Sequence, residues 1–235
     1  MGSLIRTTAE GVVDAAGQPV FDIVAQIGFD LSKLENAPAA DVIIDFSNVV
    51  TFEAVVAYVE RTGAALVSGT TGYTPEQMDR LRELGQNTRV MHSGNYSIGI
   101  AALRHLVAQA TRELPGFDCE IVETHHNQKV DAPSGTAHML FRAVKQVRPD
   151  AVEHCGRSGE CKRTKEEIGI SSLRMGNVVG VHEIHICTPS QTLTLRHEAH
   201  NRSMFADGAV EAARFVLGKP AGLYDMESLL AEGQA

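Results

Sequence analysis

The chain has 235 residues, of which 43% are hydrophobic and 21% charged. This excludes a disordered chain and leaves room for one large domain or two small ones. With 29 acidic and 21 basic side chains the net charge is -8, which argues against a nucleic-acid binder. No apolar run approaches the roughly 20 residues needed to span a bilayer.

Met1 to Glu10 carries no apolar signal core, and Cys119, Cys155, Cys161 and Cys187 form no CxxC pair. A reduced, cytoplasmic setting away from membranes is therefore expected. Cys155, Cys161 and His154 read as ordinary residues rather than metal ligands, because the two-residue ligand spacing is absent.

In chain order, Asp41–Phe46 is a short apolar run of the kind found in buried parallel strands. Phe52, Val55, Val56 and Val59 follow the i, i+3, i+4, i+7 rule of an amphipathic helix that Gly63 ends. Ala64–Val67 is the next strand. Thr74, Pro75 and Gln77 predict a capping box with proline at the first helical position, and Met78, Leu81 and Leu84 form the buried stripe. Arg89–His92 is a third strand. A long helix then carries Leu103, Leu106, Val107, Ala110 and Leu114. Alternating strands and helices predict a parallel sheet with helices on both faces.

The second half reads differently. Cys119–His125, Val178–Thr188 and Gln191–Glu198 are strands, and a helix runs from Ser134 to about Val147. Pro149–Ser172, charged and glycine-bearing, reads as a long loop. A last helix spans about Ser203–Leu217 and stops at Gly218-Lys219-Pro220. This makes a second α/β unit with a more open, mixed sheet.

The segment from Glu120 to Ala137 concentrates chemistry: a strand end, a polar loop with His125, His126 and Lys129, and a helix capped by Ser134. Gly135 and Thr136 would present backbone N–H groups at a helix N-terminus, suited to a carboxylate or phosphate. Lysine adds a positive charge and can act as a general acid, and histidine exchanges protons near neutral pH. Adjacent histidines on a strand point to opposite faces and share one ion poorly, so no metal is expected. A metal-dependent hydrolase using His125, His126, His182 and His185 ranks below the other readings. His182 and His185 themselves read as residues at a sheet surface or an interface. Ser68–Gly72 and Ser93–Ser97 each follow a strand, where ligands bind in open α/β sheets.

These residues resemble the 4-hydroxy-tetrahydrodipicolinate (dihydrodipicolinate) reductase family. The resemblance rests on Glu120–Ala137, Gly69-Thr70-Thr71-Gly72, Gly94-Asn95-Tyr96-Ser97, Arg174–His182 and Phe205–Ala209, and covers Asp41 to about Leu230. It implies a Rossmann-like nucleotide domain over 1–96 and 203–235, and a substrate-binding and tetramerisation domain over 97–202. It implies NADH or NADPH as cofactor, a cyclic dicarboxylate substrate and a homotetramer. It assigns proton transfer to His125 and Lys129, substrate contacts to His126, Gly135 and Thr136, and cofactor contacts to Gly69, Thr70, Thr71, Ser93, Gly94, Asn95 and Tyr96.

The opening Met1-Gly2-Ser3-Leu4-Ile5 resembles the tail of the family's Gly-Arg-Met-Gly loop. On that reading the first strand and the pyrophosphate-binding glycines lie before residue 1. Asp22–Phe29 would be the next strand, with Asp30 a candidate for the ribose, and cofactor binding is expected to be weak or absent. The alternative is a catalytically silent relative that binds a dicarboxylate or acts in assembly.

Overall fold

The computed structural model describes residues 1–28 and 30–232. The chain divides into two compact units: Met1–Ile98 together with the segment from Ser203 onward, and Gly99–Arg202.

The first unit is built on four parallel strands, β1 (Val42–Asp45), β2 (Ala65–Ser68), β3 (Arg89–His92) and β9 (Gly222–Tyr224), in the order β1-β2-β3-β9. Helix α3 (Phe52–Thr62) buries Phe52, Val55, Val56 and Val59 against Leu66 and Val90. It ends because Gly63 enters the left-handed region at φ 72° and returns its N–H to the Val59 carbonyl. Helix α4 (Pro75–Leu84) starts with the expected capping box: Thr74 Oγ1 accepts from the Gln77 N–H, and Gln77 Oε1 accepts from the Thr74 N–H.

Helix α7 (Ser203–Leu217) packs on β1, β2 and β3, and α1 (Gly2–Glu10) packs on α7. Its small residues allow close approach. A Cβ on Gly208 would run into the Tyr96 carbonyl oxygen. Short α2 (Ser32–Glu35) packs on α3, and α8 (Met226–Glu232) packs on α7.

In the second unit β4 (Asp118–His125) is the central strand of a five-stranded sheet. The other strands are β5 (Val152–Cys155), β6 (Glu167–Arg174), β7 (Gly180–Thr188) and β8 (Gln191–Ala199), in the order β5-β6-β4-β7-β8. The β5-β6-β4 side is parallel and the β4-β7-β8 side antiparallel. Residues of α5 (Ile98–Glu113) and α6 (Gly135–Val147) share one core with Cys119, Ile121, Ile168, Ile170, Ile184 and Ile186, which all face one side of the sheet. Truncating a fully buried member such as Leu140 to alanine is expected to cost about 2–5 kcal/mol.

The structure corrects several expectations. Asp22–Gly28 is not a strand, and Phe29 lies outside the described residues. A strand needs a pairing partner, and among the described residues this run has none: β1 pairs with β2 alone, while Ile23 and Val24 stay exposed. Pro149–Ser172 is not one loop, because it holds β5 and the start of β6. The Ile168/Ile170 alternation marks that strand, but its pairing with β4 is non-local. Leu106 is 48% exposed rather than part of the α5 stripe. The strand expected from Val178 begins at Gly180, and β9 and α8 were not anticipated.

Among the described residues no helix is long and apolar enough to cross a membrane. All four cysteines are free. Burial pushes the Cys119 thiol up to about 12, and burial together with neighbouring Glu153 pushes Cys155 up to about 11, so neither is a ready nucleophile.

Candidate active site

Strand β4 alternates: Cys119, Ile121, Glu123 and His125 lie on the helix-covered face. A carboxylate on that face must be paired, because an ionised group is costly to bury alone. Glu123, with no solvent exposure, is held by hydrogen bonds to both of its oxygens. Its Oε2 accepts from His125 Nδ1 at 2.5 Å and from Arg174 Nη1 at 2.9 Å. Its Oε1 accepts from Arg174 Nη2 at 2.7 Å and from the Ser134 N–H at 3.1 Å. Burial by itself would raise the Glu123 carboxyl. Hydrogen bonds from His125, Arg174 and Ser172 outweigh that and hold it well below the ordinary carboxylate range. Arg174 also donates to the carbonyls of Leu173 at 2.7 Å and Asp131 at 2.6 Å, tying β6 to the loop that follows β4.

Ser134 caps α6: its Oγ accepts from the Ala137 N–H at 3.2 Å and lies 3.0 Å from His182 Nε2. Gly135 is exposed, with nothing within 4 Å of where its Cβ would be, and the first turn of α6 holds no acidic residue. Thr136 lies in the same turn. The positive end of this helix is thus unopposed by side chains of its own first turn. In the preceding loop, Lys129 Nζ sits 2.7 Å from Asp131 Oδ1, with its side chain 21% exposed. The Lys129 N–H donates to the His126 carbonyl at 3.2 Å. The Lys129 hydrogen bond holds the Asp131 carboxyl below its ordinary value. His125 is buried and His126 only half-buried, as opposite faces of a strand end require.

His182 does not lie at a sheet surface, as the sequence had implied. It is buried on β7, its ring edge-on to His125 with centroids 5.1 Å apart. Burial, reinforced by His125, pushes it down to about 3, so it is neutral in the folded chain. Being three residues away on the same strand, His185 faces the other side of the sheet and meets Thr194. Among the described residues no group of three or more His, Cys, Asp or Glu side chains is placed to hold a metal. The hydrolase reading therefore loses its ligand set.

In the first unit, Asp45 ends β1 and is buried. Its Oδ2 accepts from Thr70 Oγ1 at 2.8 Å, and its Oδ1 accepts from the Ser47 N–H at 3.2 Å and from the Ser47 hydroxyl. Tyr73 Oη lies 2.9 Å from Ser68 Oγ, and His92 Nδ1 lies 3.2 Å from the Ser68 carbonyl. Burial raises the Tyr73 phenol and lowers the His92 imidazole, so both are neutral near pH 7. Gly69 must lack a side chain, since a Cβ there would come 2.5 Å from the Phe46 ring.

The two expected loops adjoin. The Ser93 N–H donates to the Ser68 carbonyl at 3.2 Å, and a Cβ on Gly94 would lie 3.8 Å from Thr71 Cγ2. Ser93 Oγ and Asn95 close a tight turn between them. Tyr96 is buried, its hydroxyl donating to the carbonyls of Ser68 and Met91 at 2.9 and 3.2 Å, so its side chain braces the strand ends and only its main chain is left for a ligand.

Glu123, Asp45 and the clamp made by Arg174 escaped the sequence reading. For Glu123 a signal existed: period-two alternation puts it on the same buried face as His125, two residues on. Nothing local in the sequence brings Arg174, 51 positions away, onto that carboxylate.

Comparison with known proteins supplies independent findings. Residues 7–96 match the family described as dihydrodipicolinate reductase, N-terminus, and residues 99–230 match dihydrodipicolinate reductase, C-terminus. The chain is similar to 4-hydroxy-tetrahydrodipicolinate reductases from Clostridium tetani, 40% identical over 98% of this chain and 92% of the relative, and Caulobacter vibrioides, 40% identical over 98% and 93%. It is also similar to the solved structure of dipicolinate-bound dihydrodipicolinate reductase from Paenisporosarcina sp. TG-14, with TM-score 0.73 and 25% identity over 95% of this chain and 92% of that one. An amine dehydrogenase from Mycobacterium smegmatis shares the fold at TM-score 0.52 and 12% identity over 84% of this chain and 78% of that one.

Proposed function

This chain belongs to the dihydrodipicolinate reductase family, and from that premise we propose how its residues divide the work. The activity itself is NAD(P)H-dependent reduction of 4-hydroxy-tetrahydrodipicolinate to tetrahydrodipicolinate in lysine and diaminopimelate biosynthesis. The strand–loop–helix unit from His125 to Thr136 carries the substrate reading, because it gathers an imidazole, an ammonium and an unopposed helix N-terminus.

A substrate with two carboxylates calls for such a set. The N–H groups of Gly135 and Thr136, aided by the positive end of α6, bind one carboxylate. Lys129 exchanges Asp131 for the substrate, and His126 flanks it. The reaction consumes one hydride and one proton and releases water. Lys129 supplies the proton, and His125 donates or accepts a proton at Nε2. A relative in this family was solved with dipicolinate, a planar dicarboxylate of the required chemical class.

NADH or NADPH supplies the hydride when bound. Gly69, Thr70 and Thr71 would line its nicotinamide side, and Ser93, Gly94, Asn95 and the main chain of Tyr96 would form the second cofactor loop. They fit such a group: the loops adjoin at strand ends, and Gly69 keeps its backbone free of a side chain.

The domains follow the same division, 1–96 with 203–235 for the nucleotide and 97–202 for the substrate. The latter also carries assembly into a homotetramer. Residues of its helices share the core on one face of its sheet, while Val122, Thr124, Ser171 and Leu173 line the other in register. The enzyme works in the cytoplasm.

The test is an assay with the substrate generated in situ, following NAD(P)H absorbance. Turnover by the wild-type chain that is strongly lowered in both His125→Ala and Lys129→Ala is expected; near wild-type turnover in both variants would sink the assignments. Light scattering that finds a monomer at micromolar concentration would sink the tetramer.

A further inference from the structure

We propose that Glu123 is the positioning residue of this reaction: one buried carboxylate fixes the ring and tautomer of His125 and docks the N-terminus of α6, with Arg174 clamping it from the far side. The inference rests on His125 acting on the proton, as set out under the proposed function, and adds what makes it able to do so.

The geometry leaves little freedom. Both oxygens of Glu123 are used, one by His125 and Arg174, the other by Arg174 and the Ser134 N–H. An ionised carboxylate only accepts hydrogen bonds, so His125 must carry a hydrogen on Nδ1. Its Nε2 is then the nitrogen that gains or loses the working proton, and any positive charge formed on the ring lies 2.5 Å from a fixed negative one. The opposite edge of the ring is set by β7, where a Cβ on Gly180 would come 3.1 Å from His125 Nε2.

Through Ser134 the same carboxylate holds the first turn of α6, so the proton-handling ring and the carboxylate-binding amides share one anchor. Arg174 keeps that anchor ionised in a buried place and is itself held by the Leu173 and Asp131 carbonyls.

Glu123→Gln separates positioning from bulk. The amide oxygen is best placed towards Arg174 Nη2 and the Ser134 N–H, which leaves the amide NH2 facing His125 Nδ1. That nitrogen must then accept, and the ring flips to the Nε2–H tautomer.

The experiment is a long-range 1H–15N spectrum of 15N-histidine-labelled protein at alkaline pH, with His125 identified by its absence in His125→Ala. Wild type is expected to show His125 with hydrogen on Nδ1; the Nε2–H form would overturn the proposal without any variant having to fold. Glu123→Gln is expected to show the reversed tautomer and to lower kcat by about 100-fold, within the range of one proton-transfer group, with KM changed less than about threefold. The double variant Glu123→Gln/His125→Ala should turn over within about threefold of His125→Ala, because Glu123 acts through His125. Losses that multiply would overturn the proposal. A crippled His125→Ala beside a fully active Glu123→Gln overturns this inference alone, whereas a fully active His125→Ala overturns the underlying role of His125 as well.

Discussion

Asp45 and Glu123 occupy equivalent places, each buried at or near the carboxyl end of a strand, yet they are satisfied by different chemistry. Asp45 gathers neutral donors: the hydroxyls of Thr70 and Ser47 and one backbone N–H. Glu123 gathers a guanidinium, an imidazole and one backbone N–H. Charge-assisted hydrogen bonds are roughly twice as strong as neutral ones. The first unit therefore shapes its loops by packing and hydroxyl contacts, with Gly69 pressed close against Phe46. The second sets a local electrostatic field. Changes in the first region should act through shape and binding, and changes in the second through protonation and turnover.

The largest expected effect tests the second region. Lys129→Ala and His125→Ala should lower turnover by about 100- to 10,000-fold. Thermal melts should stay near wild type for Lys129→Ala, whose side chain pairs with exposed Asp131. A collapse of the fold in place of a loss of turnover would break the contrast.

Next comes the steric prediction for the first region. Gly69→Ala pushes a methyl group into the Phe46 ring, and overpacking of this kind costs about 1–3 kcal/mol. Affinity for NADH or NADPH in calorimetry should fall by about tenfold or more, with dicarboxylate binding unchanged. Unchanged cofactor affinity would show that shape at this loop is not what matters.

The third concerns acid. The folded-state value of His182 is about 3, below its ordinary 6.5. Between those values the unfolded chain binds a proton that the folded chain refuses. The stability contribution is thus complete above pH 6.5 and lost as pH falls from 6.5 towards 3. Glu123, also held low, extends the loss below about pH 4.3. Melting temperature against pH should fall through this window, and His182→Gln should flatten the upper part of it.

A smaller effect is expected for Asp45→Asn, which keeps the shape and one acceptor oxygen. It should cost about 1 kcal/mol and weaken cofactor binding a few-fold, read by melting and calorimetry. The smallest is Arg80→Ala. Its partners Glu60 and Glu83 are solvent-exposed, and such pairs contribute little, so no measurable shift in melting temperature is expected.

How much of this was legible in the sequence depended on the range of the interaction. The capping box of Thr74 and Gln77, the Gly63 stop and the Ser134 cap were readable because each closes within a few residues. The loops at Gly69 and Ser93 could be placed at strand ends for the same reason. β5 and the start of β6 were hidden inside an apparent loop, since a short charged strand is defined by its neighbour. Asp22–Gly28 erred in the opposite direction: its composition suits a strand, but no described neighbour pairs with it.

The locally signalled helices and strands, the two-unit division and the candidate residues for the chemistry were therefore legible in the sequence itself. Periodicity, caps and the His125–Thr136 run are local and leave the chain few other ways to hide its apolar faces. Only the tertiary structure decided how those groups are tuned. Glu123 becomes an anchor when Arg174 arrives from another strand, His182 is neutral because it is buried beside Ser134 and His125, and Tyr96 turns from a loop residue into a brace under Ser68 and Met91. Each outcome depends on burial and on a partner distant in sequence, and neither exists until the sheets have paired.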